Sequence, residues 1–319
     1  MFFRPLFRIV PDETNVKFMR GRFIGLATSA VLSIASVILF FHPGLRLGID
    51  FRGGIIMEVR TPGPADFNKI RAALATAQVP DAGLQRFGAD DDVLIRLDPQ
   101  GNEQATQVSV NRIRGALEQA EPGTRIVRTD AVGASVSEEL FHNGMLALGI
   151  SLLMILVYIW FRFEWQFAVG AVATLILDVT KAIGFLAITR IEFDLVMVAA
   201  ILTVIGYSTN DKVVVYDRVR ENLRKYKTMP LRQLIDLSIN ETLNRTLSTS
   251  MTVFLAALPL ALFGGASLSG FALMMLFGIV VGTSSSIFIA APILLLLGEN
   301  KLRRDAQPVP PPAAGARSP

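Results

Sequence analysis

Residues Gly206 to Arg218 read Gly-Tyr-Ser-Thr-Asn-Asp-Lys-Val-Val-Val-Tyr-Asp-Arg and close an apolar run that begins at Leu195. Asp211 therefore falls inside, or at the edge of, a membrane span, where a carboxylate costs about 2.5–3.5 kcal/mol on insertion scales. Such a group persists when it is paired, hydrated or used. Helical spacing gathers Tyr207, Ser208, Asn210 and Asp211 into one stripe. Two more apolar runs carry polar residues at similar depth. Thr174, Asp178 and Lys181 share a face, so the last two can neutralise each other at i,i+3, and Arg245, Ser248, Thr249 and Thr252 share another. Two carboxylates and two cations can thus meet inside a helical bundle. The chemistry open to them is a proton relay, in which a desolvated carboxyl is tuned by a cation that moves toward or away from it.

Plainer readings stand beside this one. Asp178 and Lys181 can form a static ion pair that fixes helix register. Asp211 can pair structurally with Lys212 or Arg245. Arg245 lies near an interface and can snorkel to lipid headgroups. Asp217 and Arg218 continue the fourth helix beyond the membrane and read as a hinge or salt-bridge element. The run Ser284-Ser285-Ser286, with Gly278 and Gly282 before it, reads as tight helix packing rather than a transport path.

These residues need a membrane scaffold, and the composition provides one. Of 319 residues, 51% are hydrophobic and only 18% charged, against about 25% charged in soluble domains. Mean hydropathy is +0.47. Spans are expected at 23–41, 142–161, 166–187, 195–216, 247–263 and 270–297, each about one bilayer thick. The first is expected to remain as an uncleaved helix. A basic loop at 217–246 is expected to hold an amphipathic surface helix after Pro230, with Leu231, Leu234, Ile235 and Ile239 on one side. Residues 298–319 form a basic, then Pro/Ala-rich, tail that is expected to be disordered.

Residues 42–141 differ in character, with fourteen acids facing eleven bases. Strands are expected at 55–60, 84–87, 93–97 and 125–129, and helices at 64–78 and 103–119, the former with Pro64 in its first turn. Strand–helix–strand–strand–helix–strand is the ferredoxin-like order. The triplet Asp90-Asp91-Asp92 lacks the glycine and distal glutamate of a calcium loop and reads as a solvated turn. The fold class is thus a polytopic α-helical membrane protein with one small α+β domain between its first two spans.

Six spans place residues 1–22, the 217–246 loop and the tail on one side. Their basic character makes that side cytoplasmic and puts 42–141 in the periplasm. The 31 Lys and Arg against 27 acids then reflect membrane topology, not nucleic-acid binding. The chain has no cysteine, and His42 and His142 form no cluster, so no metal site or cofactor is expected. No phosphate-binding loop or nucleophile–base pair points to an enzyme.

Three motifs carry a resemblance: Gly48-Ile49-Asp50-Phe51-Arg52-Gly53-Gly54 after the first span, Val132-Gly133-Ala134-Ser135-Val136 before the second, and Gly206–Arg218 with Arg220-Glu221-Asn222. With six spans and one external domain, the chain resembles the SecD/SecF family of accessory subunits of the bacterial Sec export machinery, within the resistance–nodulation–division superfamily. The resemblance is to the smaller member of the pair and covers nearly the whole chain. It implies pairing with SecD, association with the SecYEG channel and with YidC and YajC, contact with unfolded substrate protein and membrane lipids, and use of the proton-motive force. On that pattern Asp211 is the proton-carrying residue and Arg245 its fifth-span partner, with Asp178 and Lys181 in the same relay and Tyr207, Ser208, Asn210, Asp217 and Arg218 supporting. Many members have His-Asp where this chain has Leu177-Asp178, with Lys181 one turn on, a variant similar to alphaproteobacterial members. A second reading, half of a proton-coupled exporter of small molecules or lipids, predicts two six-span halves in one polypeptide. A third makes the buried charges purely structural.

Overall fold

The computed structural model describes residues 14–79, 81–86, 89–99 and 103–297. The basic first residues and the tail after 297 lie outside the described residues. The chain forms two units, one of residues 45–150 and 190–199, the other of 1–44, 151–189 and 200–319.

The smaller unit contains the four-residue helix α2 (Ile49–Arg52), followed by β1 (Gly54–Arg60), α3 (Phe67–Thr76), β2 (Gly83–Arg86), β3 (Asp92–Leu97), α4 (Glu103–Ala120) and β4 (Arg125–Val132); α1 (Arg22–Phe41) precedes them in the chain. The antiparallel sheet has the order β2-β3-β1-β4, which is the ferredoxin-like arrangement. Alternation explains why: Ile55, Met57 and Val59 of β1 and Val93, Ile95 and Leu97 of β3 point inward to meet Ile70 and Leu74 of α3 and Ile113 and Leu117 of α4. The first helix starts later than expected. Pro64 precedes it, and Asp66 caps it by accepting the Asn68 and Lys69 backbone N–H groups at 2.9 and 3.2 Å. The acidic triplet forms an ion-paired turn, with Asp92 held by Arg60 at 2.7 Å and Asp90 by Arg86 at 3.0 Å.

The glycine motif ends this unit's preamble. Gly54 sits at φ +122°, and a Cβ there would lie 2.5 Å from the Leu97 carbonyl oxygen. Only glycine lets β1 close on β3 at that point. Just before it, Gly48 N–H donates to Phe193 O at 2.9 Å and Phe193 N–H to Arg46 O at 2.7 Å. This ties the motif to the segment that starts the fourth membrane helix, α7.

In the larger unit, α1 is joined by α5 (Ala134–Arg162), α6 (Trp165–Thr189), α7 (Leu195–Lys225), α8 (Leu231–Phe263) and α9 (Gly265–Ser285), which runs through a π-helical turn (Ser286–Ala290) into α10 (Ala291–Leu296). α5 and α7 also contribute their first residues to the smaller unit. Among the described residues, six segments are long and apolar enough to cross a membrane. Two expectations change. Most of 217–246 is not loop, because α7 continues to Lys225 and α8 begins at Leu231. The separate surface helix after Pro230 does not exist, since α8 is unbroken to Phe263. Leu231, Leu234, Ile235 and Ile239 are buried with Val219 and Leu223 of α7, so the apolar stripe packs against protein.

The sixth span is interrupted where sequence periodicity showed a plain helix. Pro292 has no N–H to give residue 288, and its ring crowds that carbonyl; a π turn immediately before it is a usual accommodation.

Two measurements test the smaller unit and its joint with α7. Gly54→Ala should lower stability by about 1–3 kcal/mol, read as an earlier thermal melt in detergent, because it forces a side chain into left-handed backbone against a carbonyl. Asp194, just before α7, accepts Met197 N–H at 2.8 Å. Burial pushes its carboxyl above the ordinary range, that hydrogen bond opposes the shift, and Asp50 and Glu192 add like charge. A raised folded pKa means the ionised group costs stability near neutrality, a cost relieved as pH falls through that value. Asp194→Asn keeps the cap and should remove this gain between about pH 7 and 4 in melts of the two proteins.

Candidate functional site

Close helix approach creates the site. A Cβ at Gly278 would lie 2.3 Å from Val204 and one at Gly282 2.9 Å from Ser208 Cβ, so α9 presses directly on α7. The packing expected of these glycines is present, and it brings the serines after them to the charges of α6 and α7.

Asp178 of α6 is 4% exposed, and protein side chains supply its polar contacts. Its Oδ2 accepts from Lys212 Nζ, Ser208 Oγ and Ser285 Oγ, each at 2.8 Å. Lys181 Nζ lies 3.6 Å from Oδ1, which has no hydrogen bond. One carboxylate therefore faces two ammonium groups. Lys212 also donates to Ser208 Oγ, which in turn donates its hydrogen bond to Asp178. The i,i+3 pair expected within α6 exists, but the closer partner comes from α7. Lys212, one of two cations that could pair structurally with Asp211 on the sequence reading, turns its side chain to Asp178 instead.

Asp211, also 4% exposed, has no ion pair within 4.0 Å among the described residues. Its Oδ2 lies 2.5 Å from Ser286 Oγ, in the π turn. Ser286 Oγ is also 2.8 Å from Thr283 O. A hydroxyl has a single proton, so Ser286 either shares it between the two acceptors or also receives a hydrogen bond from a protonated Asp211 carboxyl; Ser285 Oγ makes a like pair of contacts, with Asp178 Oδ2 at 2.8 Å and Gly282 O at 3.0 Å. Thr246 of α8 also interacts with Asp211, its Oγ1 buried and without a hydrogen-bond partner within 3.5 Å.

The other expected residues fall in three places. Tyr207 OH donates to Ser250 Oγ at 2.8 Å, which in turn is 2.8 Å from Thr283 Oγ1, a hydroxyl chain bordering Asp211's turn. Asp217 and Arg218 make ion pairs at the end of α7, with Arg162 at 2.8 Å and with Glu241 at 2.7 Å. Asn210 and Arg245 are exposed, away from the buried cluster. The face shared by Arg245, Ser248, Thr249 and Thr252 turns outward, and Thr249 and Thr252 spend their hydroxyls on carbonyls of their own helix. Thr246, one residue on from Arg245, takes the place next to Asp211. Ser285 and Ser286, which contact Asp178 and Asp211, are the side chains of this cluster that sequence reasoning missed. Their triple-serine run, one turn past Gly282, was the available signal.

Comparisons with known proteins place this geometry. A family model for the protein export membrane protein SecD/SecF, C-terminal, matches residues 113–300, and one for the SecD/SecF GG motif matches residues 38–61. The chain belongs to the SecD/SecF family. The protein translocase subunit SecF of Rickettsia rickettsii is 42% identical over 298 residues, covering 93% of this chain and 96% of that protein. That of Rhodobacter capsulatus is 41% identical over 313 residues, covering 93% and 94%. A crystal structure of SecDF from Thermus thermophilus, described as a translocon-associated membrane protein, matches with TM-score 0.79 and 30% identity over 91% of this chain. This chain spans 39% of that SecDF chain. A second SecDF structure, in a super-membrane-facing form, matches with TM-score 0.66 and 31% identity.

As a SecD/SecF member with six apolar helices, it is a multi-pass inner membrane protein. The segment that matches the family's GG motif, residues 38–61, contains Gly53 and Gly54, and Asp50 within it accepts Leu195 N–H at 3.1 Å. Asp50 and Asp194 thus both meet the N–H end of the helix that carries Ser208, Asp211 and Lys212, where a helix dipole favours negative charge.

Removing a partner from a buried charge pair costs about 3–5 kcal/mol. Asp178→Asn strands two ammonium groups and should show that full loss in detergent melts. Lys212→Met leaves Lys181 beside the carboxylate and should lose less. Equal losses would show that Lys181 contributes nothing to holding Asp178.

Proposed function

We propose that this SecD/SecF chain is an auxiliary subunit of the Sec protein-export translocase that works with a SecD-type partner and uses the proton-motive force to promote protein translocation. Asp211 is the proton carrier, and Asp178, Lys212 and Lys181 are the charge system that responds to it. The observation that carries this is the Asp211–Ser286 contact: a buried carboxyl with no cation within ion-pair distance among the described residues, held by a serine hydroxyl. Lys181 enters as a companion of Asp178, and Arg245 stands outside the relay.

The orientation follows from charge. The basic segments on either side of α1's start and in the α7–α8 connection lie in the cytoplasm, and residues 42–141 in the periplasm, where they meet unfolded substrate protein. SecYEG, with YidC and YajC, are the assembly partners. No cofactor is used, no covalent bond is made or broken, and no nucleic acid is bound. The domain limits set out from the sequence are adopted with one change, α7 and α8 extending beyond the bilayer on the cytoplasmic side. An exporter half-unit is the other reading of the same buried charges. The translocase subunits that match over nearly their whole length favour export of protein.

Asp211→Asn preserves shape but removes the titratable proton. It should abolish proton-driven stimulation of export in membrane vesicles, while co-purification with the SecD-type partner persists. Export at the native rate by the assembled variant would rule out Asp211 as proton carrier.

A further inference from the structure

The chain ahead of α1 is held against the first turns of α8. Val16 N–H donates to Asn240 Oδ1, and Val16 O accepts from Asn240 Nδ2, both at 2.9 Å. The side-chain amide thus pairs with the backbone much as a neighbouring strand would. One turn back on α8, Asp236 Oδ1 accepts Met19 N–H at 2.8 Å. Met19 is 1% exposed and packs in the core cluster that holds Leu231, Leu234 and Ile235 of α8. Residues 16–19 are a fixed part of the bundle.

Phe18 carries that anchorage across to the sixth span. It lies in a single 3₁₀ turn, Phe18–Arg20, and its ring meets that of Phe288 edge-on, with centroids 6.1 Å apart. Phe288 belongs to the π turn and is the largest side chain in it. Phe288 also presses on Gly25 of α1, where a Cβ would lie 2.8 Å from Phe288 Cβ and 3.1 Å from its carbonyl oxygen. The place that a Gly25 side chain would take is filled by Phe288. Two residues before Phe288 in the same turn stands Ser286, the partner of Asp211.

Pro292 calls for an irregular turn ahead of it but does not choose the residue at which that turn falls. A turn displaced by one position toward the N-terminus would offer Asp211 the Ile287 side chain in place of the Ser286 hydroxyl. The buried carboxyl would then lose its serine donor. We infer that the socket formed by Phe18 and Gly25, tied to α8 by Asp236 and Asn240, sets the place of the π turn and so selects Ser286 as the partner of Asp211. These four are positioning residues, acting through Phe288 and Ser286. The consequence for proton-driven export rests on the reading of Asp211 given above. The placement of the turn does not.

The chain has no cysteine, so the place of the turn is open to direct measurement. In full-length protein in membranes, Asp211→Cys is combined with Ser286→Cys or with Ile287→Cys, and the rate of disulfide formation is compared. The bond needs Cβ atoms about 3.5–4.5 Å apart and directed at each other. With native Phe18 the 286 pair should form about tenfold faster than the 287 pair or more. Phe18→Ala and Gly25→Ala should each narrow that ratio about two- to tenfold, the range that an aromatic contact is worth. Gly25→Ala improves α1 as a helix, so narrowing there comes from the displaced Phe288 and not from a weakened α1. Asp236→Ala should narrow the ratio too, and Asp236→Asn, which keeps an oxygen for Met19 N–H, should restore it. An unchanged ratio in Phe18→Ala and Gly25→Ala would overturn the inference. In the otherwise native chain, Phe18→Ala and Ser286→Ala should each lower proton-driven export, and the double variant no further than Ser286→Ala alone. Additive losses would place the action of Phe18 elsewhere and overturn the inference. Should Asp211→Cys fail to assemble, this comparison decides. Native export by Asp211→Asn together with a narrowed cross-linking ratio would leave the placement of the turn standing and remove the proton carrier.

Discussion

A carboxylate inside a bilayer has no solvent to satisfy it, and Asp178 shows what a protein must assemble in place of water. Its Oδ2 receives an ammonium and two hydroxyls, brought by α7 and by the α9 span, and a second ammonium stands on the other side, from its own helix. These groups reach it only because α9 lies against α7 without side chains between them at Gly278 and Gly282. The helix contacts, the position of the serines and the turn of Lys212 away from its neighbour Asp211 are all conditions of that one charge being tolerated.

Asp211 receives the opposite treatment, one turn away on the same bundle. It has a serine hydroxyl and a nearby threonine but no ammonium within ion-pair distance. The contrast separates a carboxylate faced by two ammonium groups from one with no cation within ion-pair distance among the described residues. It also explains why neighbours in sequence, Asp211 and Lys212, serve different carboxylates: successive helix positions point about 100° apart, so one cannot serve the other's side.

Much of this was readable beforehand. The ferredoxin-like order, the six spans and the buried Asp178, Lys181, Ser208 and Asp211 follow from alternation, apolar run length and helical spacing. What escaped depends on other things. Spacing within α8 gathers Arg245 with Ser248, Thr249 and Thr252, but it cannot say which face meets α7, and the face that does begins at Thr246. The run Leu231–Ile239 has the pattern of a helix lying on a membrane. The same pattern serves a helix packed on α7, and only the tertiary partner decides. Ser285 and Ser286 resembled packing residues because serine is small enough to be one. Lys212's choice of Asp178 is a long-range rotamer decision that no local window contains.

The π turn at Ser286–Ala290 carries one more consequence. It is in effect a single residue inserted into a helix without a loop to absorb it, so the side chains after it are rotated by roughly 100° relative to an uninterrupted helix. A wheel drawn straight through the sixth span would therefore assign the wrong faces from there to Leu296. The Ala290 carbonyl that accepts Tyr216 OH at 3.2 Å is where the new register begins. A deletion of one residue in this turn would leave an apolar segment of almost the same length and composition, pass unnoticed in a hydropathy profile, and yet uncouple the two ends of the span from their separate neighbours.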